Sequence, residues 1–260
     1  MQNLVEQALG FSYNPCRFTT NLPPDCRRAC FRVRKVLEGI VYDTVALEGN
    51  PFTLPEVKTL IEGITVGGHS VEDAEQVINQ ADSWKELLRL VSVSGFELDK
   101  KTANALHALV ARKEALTWGQ FRDGSVTIAG TNHQPPHHAD LPDIFESGIS
   151  TLKAIENVHE RAFLTFLFGA LQQFYYDGNK RVSRLLMNGQ LLQAGYDAVT
   201  VPAGRKNEFN ERMLAFYDSH NATDMLGFLA SCSLDDSLVY HPAAATRKPT
   251  ASSQGPSFQG

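Results

Sequence analysis

The chain of 260 residues is 43% apolar and 20% charged, a globular composition rather than that of a disordered segment. At ~150 residues per domain it holds one large domain or two small ones, and such a chain buries roughly 70–75% of its unfolded surface without staples. With 24 Lys and Arg against 29 Asp and Glu, the formal net charge of −5 argues against a general nucleic-acid or membrane-surface binder.

Residues 1–23 show no period and end in Pro23-Pro24, which predicts an irregular lead-in. Over 25–47 the apolar residues Cys30, Val33, Val36, Leu37, Ile40 and Val41 recur at three and four, the period of a helix. Glu48-Gly49-Asn50-Pro51 supplies its stop. Pro55 opens a second helix to 61, and Ser70 with Asp73 caps a long one towards 91. The stretch 100–113 is helical again. Over 121–128 the period changes: Val126 and Ile128 alternate with Ser125 and Thr127 after Asp123-Gly124, a hairpin signal. A loop spans 132–140, and helices are predicted at 153–174, 179–193, 205–219 and 222–232. The Pro/Ala/Ser/Thr/Gly-rich residues after Tyr240 have nothing to bury and are expected to be disordered. The expected organisation is a lead-in (1–23), N-terminal helices (24–115), a helical core with a hairpin (116–236) and a tail (237–260). The fold class is all-α with one small β-hairpin.

Four cysteines, Cys16, Cys26, Cys30 and Cys232, are too few and too uneven for a disulfide framework. Cys26 and Cys30 lack a second ligand pair, so reduced thiols in a cytoplasmic protein are expected. The first residues lack the basic and apolar regions of a signal peptide, and no apolar run nears 18 residues. His133, His137 and His138 crowd a Pro-rich loop without Cys or carboxylates at ligand spacing and read as exposed; His107 reads as a core or rim histidine.

Chemistry concentrates at 175–184, Tyr-Tyr-Asp-Gly-Asn-Lys-Arg-Val-Ser-Arg. An apolar helix enters this stretch and an amphipathic one leaves it, so the N–H groups of the second helix face the break at Asp177-Gly178-Asn179. A helix start with a glycine is an anion site. Lys180, Arg181 and Arg184 crowd the end where the dipole disfavours cations, which makes sense around a polyanion such as a phosphate chain. Asp177 is placed to hold Mg²⁺ on those phosphates. The alternative is arginines paired to acids elsewhere.

The stretch resembles the signature of the Fic (Fido) family, His-x-Phe-x-Asp/Glu-Gly-Asn-Gly/Lys-Arg-x-x-Arg. Arg184-Leu-Leu-Met-Asn188, Ala194-Gly-Tyr196, Gly119-Gln-Phe-Arg122 and Pro135-Pro136 look like the same family, and Thr44-Val-Ala-Leu-Glu48-Gly49 resembles its inhibitory motif. The resemblance spans roughly 25–235. It implies a helical core with a hairpin flap and, in active members, transfer of part of a nucleoside triphosphate, usually AMP from ATP, to a hydroxyl of a target protein. By motif position it implies Asp177 as the metal ligand and Gly178, Asn179 and Lys180 as the anion hole. Arg181 would hold phosphate, and Arg184 would hold the terminal phosphate or pair with the inhibitory Glu48. The flap around Val126, Thr127 and Ile128 would hold a target strand by its backbone.

The sequence departs from the pattern at Gln173, which stands where the family has its catalytic His. A glutamine amide is a negligible base, and losing a general base costs ~10²–10⁴ in rate. His159, 14 residues back, lies ~21 Å away at 1.5 Å per residue. Tyr175 and Tyr176 have ordinary pKa values near 10 and are poor bases. Lys180 replaces the glycine usual in nucleotide-transferring members, as in the branch that resembles the phosphorylating toxin Doc. Tyr175 stands at the Phe position and needs a partner for its hydroxyl. Two readings therefore remain: a weak, self-inhibited transferase using Mg²⁺ and a nucleoside triphosphate on an unidentified protein, or a non-catalytic module that senses nucleotide or binds a partner. Oligomeric state is not readable.

Overall fold

The computed structural model describes residues 2–242. Its elements are α1 (Gln2–Leu9), β1 (Cys16–Thr19), α2 (Cys26–Lys35), α3 (Leu37–Leu47), α4 (Leu54–Ile61), α5 (Val71–Ser92), α6 (Lys100–Val110), α7 (Leu141–Lys153), α8 (Val158–Gln172), α9 (Asn179–Gln193), α10 (Lys206–Ser219), α11 (Thr223–Ala230) and β2 (Val239–Pro242). The all-α expectation holds.

The centre is the antiparallel pair α8 and α9. Phe163, Phe166, Leu167 and Phe168 of α8 and Leu185, Leu191 and Leu192 of α9 are almost wholly buried. A helix apolar on all sides belongs inside. The polar residues of α9 are satisfied within the core. Asn188 Nδ2 donates to Arg184 O and Val199 O, its Oδ1 accepts from Val199 N, and Gln190 bonds Thr165 Oγ1. The remaining elements wrap this pair: α6 and α5 pack on α9, and α3 packs on α5. One hydrophobic cluster runs from Val33 and Val41 through Trp84 and Leu106 to Phe163 and Leu191.

Several local expectations need correction. The helix predicted over 25–47 is two, because Val36 leaves helical geometry at φ −120°, ψ 18°. The lead-in contains α1 and β1. The helix expected at 153–174 is α8 alone, which starts at Val158 after Asn157 caps it through Glu160 N, and α7 (Leu141–Lys153) is a further helix that no expectation covered. Residues 239–242 of the tail pair antiparallel with β1, Cys16 opposite Pro242, so the two-stranded sheet joins parts of the chain far apart in sequence. The rest of the tail lies outside the described residues. At 121–130 no strand pairs with another among the described residues. The alternation nevertheless survives as burial: Val126 and Ile128 are half-buried, while Ser125, Thr127 and Ala129 are exposed. The period of two was read correctly and the pairing was not, because pairing needs a partner that periodicity cannot supply.

Close approach of α8 to α9 depends on Gly169, where a methyl group would land on Ser183 Oγ. Gly169→Ala should destabilise the fold by about 1–3 kcal/mol through overpacking. Thermal unfolding should show a Tm lower by several degrees; an unchanged Tm would mean that the helices separate at no cost.

Candidate functional site

Helix α8 stops at Gln173, which adopts a left-handed conformation (φ 51°) and returns its N–H to Gly169 O at 3.3 Å. Helix α9 starts after Gly178, also left-handed at φ 74°. A side chain there would be strained in backbone and would press on Ala111 and Val110. The turn between the helices is held from three sides. The Asn179 side chain bridges Tyr175: its Oδ1 accepts from Tyr175 N at 2.9 Å and its Nδ2 donates to Tyr175 O at 2.8 Å. Arg122, 3% exposed, donates to Gln173 O, Gly124 O and Pro136 O, each at 2.6 Å, and fastens the 121–136 segment to the end of α8. From below, His107 of α6 stacks on the Tyr175 ring with centroids 3.7 Å apart. The His107 Nδ1 accepts from Gly119 N at 3.0 Å, so Nε2 carries the proton and donates to Asp177 O at 2.9 Å. Tyr175 meets the requirement set by its sequence: its hydroxyl donates to Asn104 Oδ1 at 2.9 Å.

The structure distributes the predicted binding residues unevenly. A cavity of about 260 Å³ is bordered by Glu48, Thr127, Ile128, Gln173, the Asp177–Arg181 turn and Tyr217. At the head of α9 the N–H groups of Asn179, Lys180 and Arg181 have no acceptor one turn back, as at any helix start. Asn179 contributes only its backbone there, since its side chain is committed to the turn and to Gln173 Oε1 at 3.0 Å. Arg181 is 3% exposed and faces α6, with Nη1 2.8 Å from Glu114 Oε2 and Nη2 3.5 Å from Asp177 Oδ1. Arg184, 6% exposed, faces α3, and its Nη2 donates to Glu48 Oε1 at 3.0 Å. The two arginines expected on one face therefore part to different acids. Asp177 keeps a side chain 61% exposed, with Oδ1 accepting from Gly178 N at 2.5 Å.

Glu48 reaches Arg184 because of how α3 ends. Gly49 takes φ +93°, its N–H returns to Ala46 O and that of Asn50 to Val45 O, a left-handed helix stop that turns the chain sharply at Glu48. Lys206 Nζ adds a bond to Ala46 O at 2.8 Å, placing a cation at the negative end of the helix. Thr44 is buried one turn back. Burial alone would push the Glu48 carboxyl up; Lys180, Arg184 and Arg181 outweigh it and hold the carboxyl below its usual range. Lys180 Nζ lies 3.8 Å from Glu48 Oε2.

Gln173 is fixed as well. Its Nε2 donates to Ala170 O at 2.6 Å while its Oε1 accepts from Asn179. The neighbouring tyrosines ionise less readily than free phenols, so neither offers a phenolate as a base: burial raises Tyr175, and a hydrogen bond to Asp123 raises Tyr176. His133 is half-buried rather than exposed, since its Nε2 meets Leu171 O at 3.0 Å. Among the described residues no group of three or more His, Cys, Asp or Glu could hold a metal ion, and none of the four cysteines is in a disulfide. A larger groove of about 780 Å³ lies between the N-terminal segment and the α7–α8 connection. Its lining includes Glu156 and Glu160 and no cation, so a polyanion has no counter-charge there. Reading the sequence missed Glu114, the stapling by Arg122 and Tyr217. Glu114 and Tyr217 carry no local signal, because their roles are set by groups distant in the chain, Arg181 for Glu114 and Glu48 for Tyr217; Arg122 was visible only as part of a motif.

Burial holds both His107 and His159 at a pKa of about 4, against ~6.5 in an unfolded chain. The unfolded chain takes up protons first as pH falls, so the stability that depends on the neutral rings is complete above ~6.5 and is lost towards ~4. Urea unfolding at pH 7 and pH 4.5 should show the loss, and His107→Gln should lose less over that interval than the parent. Equal losses would mean that His107 is not held neutral.

Comparison with known proteins bears on this turn. Residues 97–191 match the model of the Fic/DOC family. The chain is 26% identical over 201 residues to the protein adenylyltransferase Fic of Drosophila ananassae, with 74% of this chain and 39% of that protein covered. It is 27% identical over 199 residues to the one of Drosophila persimilis. It thus spans about two fifths of the length of the curated relatives it matches. Among solved structures, Fic-1 from C. elegans superposes with a TM-score of 0.67 at 20% identity, covering 88% of this chain and 66% of that one. A Fic domain containing signaling protein from Bacteroides thetaiotaomicron gives 0.67 at 21% identity, covering 81% and 87%. These structures share the fold, and the matched stretch contains α6, the 121–136 segment, α8 and the turn into α9. Residues 97–191 are thus similar to the Fic/DOC family, and the fold is that of solved Fic structures.

Proposed function

We propose that the protein binds a Mg²⁺–nucleoside triphosphate at the head of α9 and acts as a Fic-type, AMPylation-like transferase on a protein hydroxyl, restrained by Glu48 and slow for want of a general base. The observation that carries this reading is the Glu48–Arg184 contact at 3.0 Å. A carboxylate at the end of a helix is disfavoured by the dipole. Glu48 is held there by cations that would otherwise face the open side of an anion-binding turn. A phosphate chain laid on the α9 N–H groups needs the same guanidinium, so ligand and Glu48 compete.

The chemistry of the donors fits magnesium carried by the ligand: one accessible carboxylate, Asp177, beside a phosphate site, where Mg²⁺ keeps waters and shares phosphate oxygens. When bound, the ion would neutralise charge that develops on the phosphates. Lys180 and the α9 N–H groups would hold the chain of phosphates. The extended stretch Val126, Thr127 and Ile128 offers backbone groups for a target segment at the cavity edge. When a target hydroxyl bonds to phosphorus its proton must leave, and Gln173 cannot take it, because an amide is not a base and both its ends are engaged. Activity is therefore expected ~10²–10⁴ below that of a site with a base. The bonds of Gln173 favour the second reading, a nucleotide-sensing module without transfer. Nucleotide and an unidentified protein are the proposed partners and the cytoplasm the proposed location; among the described residues no helix is long and apolar enough to cross a membrane.

Calorimetry with Mg²⁺–ATP should show affinity at least about tenfold higher in Glu48→Gly than in the parent, the scale of one charge-assisted hydrogen bond. Arg184→Ala in that background should abolish the gain. Intact-mass measurement after incubation with Mg²⁺–ATP should show self-modification rising ~10²-fold on adding Gln173→His to Glu48→Gly. Binding without modification in every variant would leave the sensing module as the function. Unchanged affinity in Arg184→Ala would contradict the site itself.

A further inference from the structure

One wall of the cavity holds a group that the Glu48 pair does not use. Tyr217, near the end of α10, is 3% exposed, and its hydroxyl has no hydrogen-bond partner among the described residues. It borders the same cavity as Glu48, Lys180 and the head of α9. The ring is held in place: it stacks near His133, centroids 6.2 Å apart and 13° from parallel, and packs against Phe216 at 5.8 Å. His133 is itself tied to Leu171 O and, through Nδ1, to His220 Nε2 at 2.9 Å. The phenol is thus fixed away from bulk water.

A buried hydroxyl left without an acceptor is destabilising, and buried tyrosines normally find one. Arg184 shows the same deficit: its Nε and Nη1 are buried without an acceptor, while Nη2 alone meets Glu48. Its guanidinium packs near the Phe209 ring, 5.9 Å from the centroid. Donors thus outnumber acceptors around Glu48. A carboxylate brings two oxygens to this place, and a phosphoryl group brings three on a tetrahedral centre. Burial and the Glu48 carboxylate raise the Tyr217 pKa, so the phenol keeps its proton and can only donate to an anion.

Building on the nucleotide reading above, we propose that Tyr217 is a phosphate-binding residue whose hydroxyl donates to an oxygen of the phosphate chain that displaces Glu48 from Arg184. The ligand class it selects is a polyphosphate rather than a nucleoside. The phenol is retained at some loss of stability in the ligand-free protein, as functional sites often are.

The test uses the full chain carrying Glu48→Gly, with and without Tyr217→Phe. Calorimetry with Mg²⁺–ATP and with Mg²⁺–tripolyphosphate is combined with the Tm of the ligand-free proteins. Expected is a loss of about tenfold to a hundredfold in affinity for both ligands, with Tm unchanged or higher, because Phe removes an unsatisfied donor and keeps the ring. Equal affinities in the two proteins overturn the proposal. So does a loss confined to ATP, which would place the hydroxyl on the nucleoside, and so does a lower Tm, which would give the hydroxyl a structural partner. If the Glu48→Gly parent itself binds neither ligand, the nucleotide reading fails and this proposal falls with it; the parent alone reveals that case.

Discussion

A guanidinium inside a protein needs a counter-charge, and among the described residues Arg184 finds its own in Glu48. Arg184 stands on a helix buried on nearly every side, so it cannot extend to water. The acid must come to it, and it comes from the end of α3, where a left-handed glycine stops the helix at the right residue. That one pair ties α3 to α9, just beyond the turn at residues 173–178. It also fixes the logic of the site: any anion that reaches Arg184 through the cavity does so by replacing a carboxylate already there. Removing one partner of such a pair leaves the other charge buried. The natural exchange is therefore of one anion for another rather than an opening of the pair.

The turn itself does not wait for a ligand to acquire its shape. The Asn179 bridge, the Arg122 staple and the His107–Tyr175 stack each hold a different part of residues 173–178. A binding surface made of backbone N–H groups requires this, since such groups are aimed only by fixing the chain that carries them. The same stapling absorbed Gln173. Where a base would have to be free to receive a proton, this chain has an amide bonded at both ends. The architecture proposed to hold phosphate and an amide at the place of a base thus coexist in one loop, and they have different structural origins. The first comes from α9 and its surroundings, and the second from the last residue of the α8 turn.

Much of this was legible in the residues. The apolar period of 179–193, the capping signal at Ser70 and the Gly49 stop all act locally and appear where the sequence places them, and the helix expected at 100–113 appears as α6, ending at Val110. The resemblance of 44–49 to an inhibitory motif implied a Glu48–Arg184 contact that the structure contains. What was not legible depends on distant partners. The commitment of the Asn179 side chain to Tyr175 could not be seen in the residues. Arg181 looked like a partner of Arg184 because Glu114, in the turn after α6, carries no mark of its pairing. The extended segment at 126–128 shows a strand's alternation, yet the strands that do pair, Cys16–Thr19 and Val239–Pro242, come from stretches that seemed irregular. Their pairing rests on residues more than 200 positions apart.

The claim on which the account turns is that a phosphate chain and Glu48 exclude one another at Arg184. A crystal structure of the full chain with Mg²⁺ and a non-hydrolysable nucleoside triphosphate addresses it directly. The account predicts a phosphate oxygen within ~3 Å of the Arg184 guanidinium, the hydrogen-bond range for such a pair, and the Glu48 carboxylate moved beyond it. A nucleotide bound at the head of α9 with the Glu48–Arg184 contact still intact, or bound elsewhere, would contradict it.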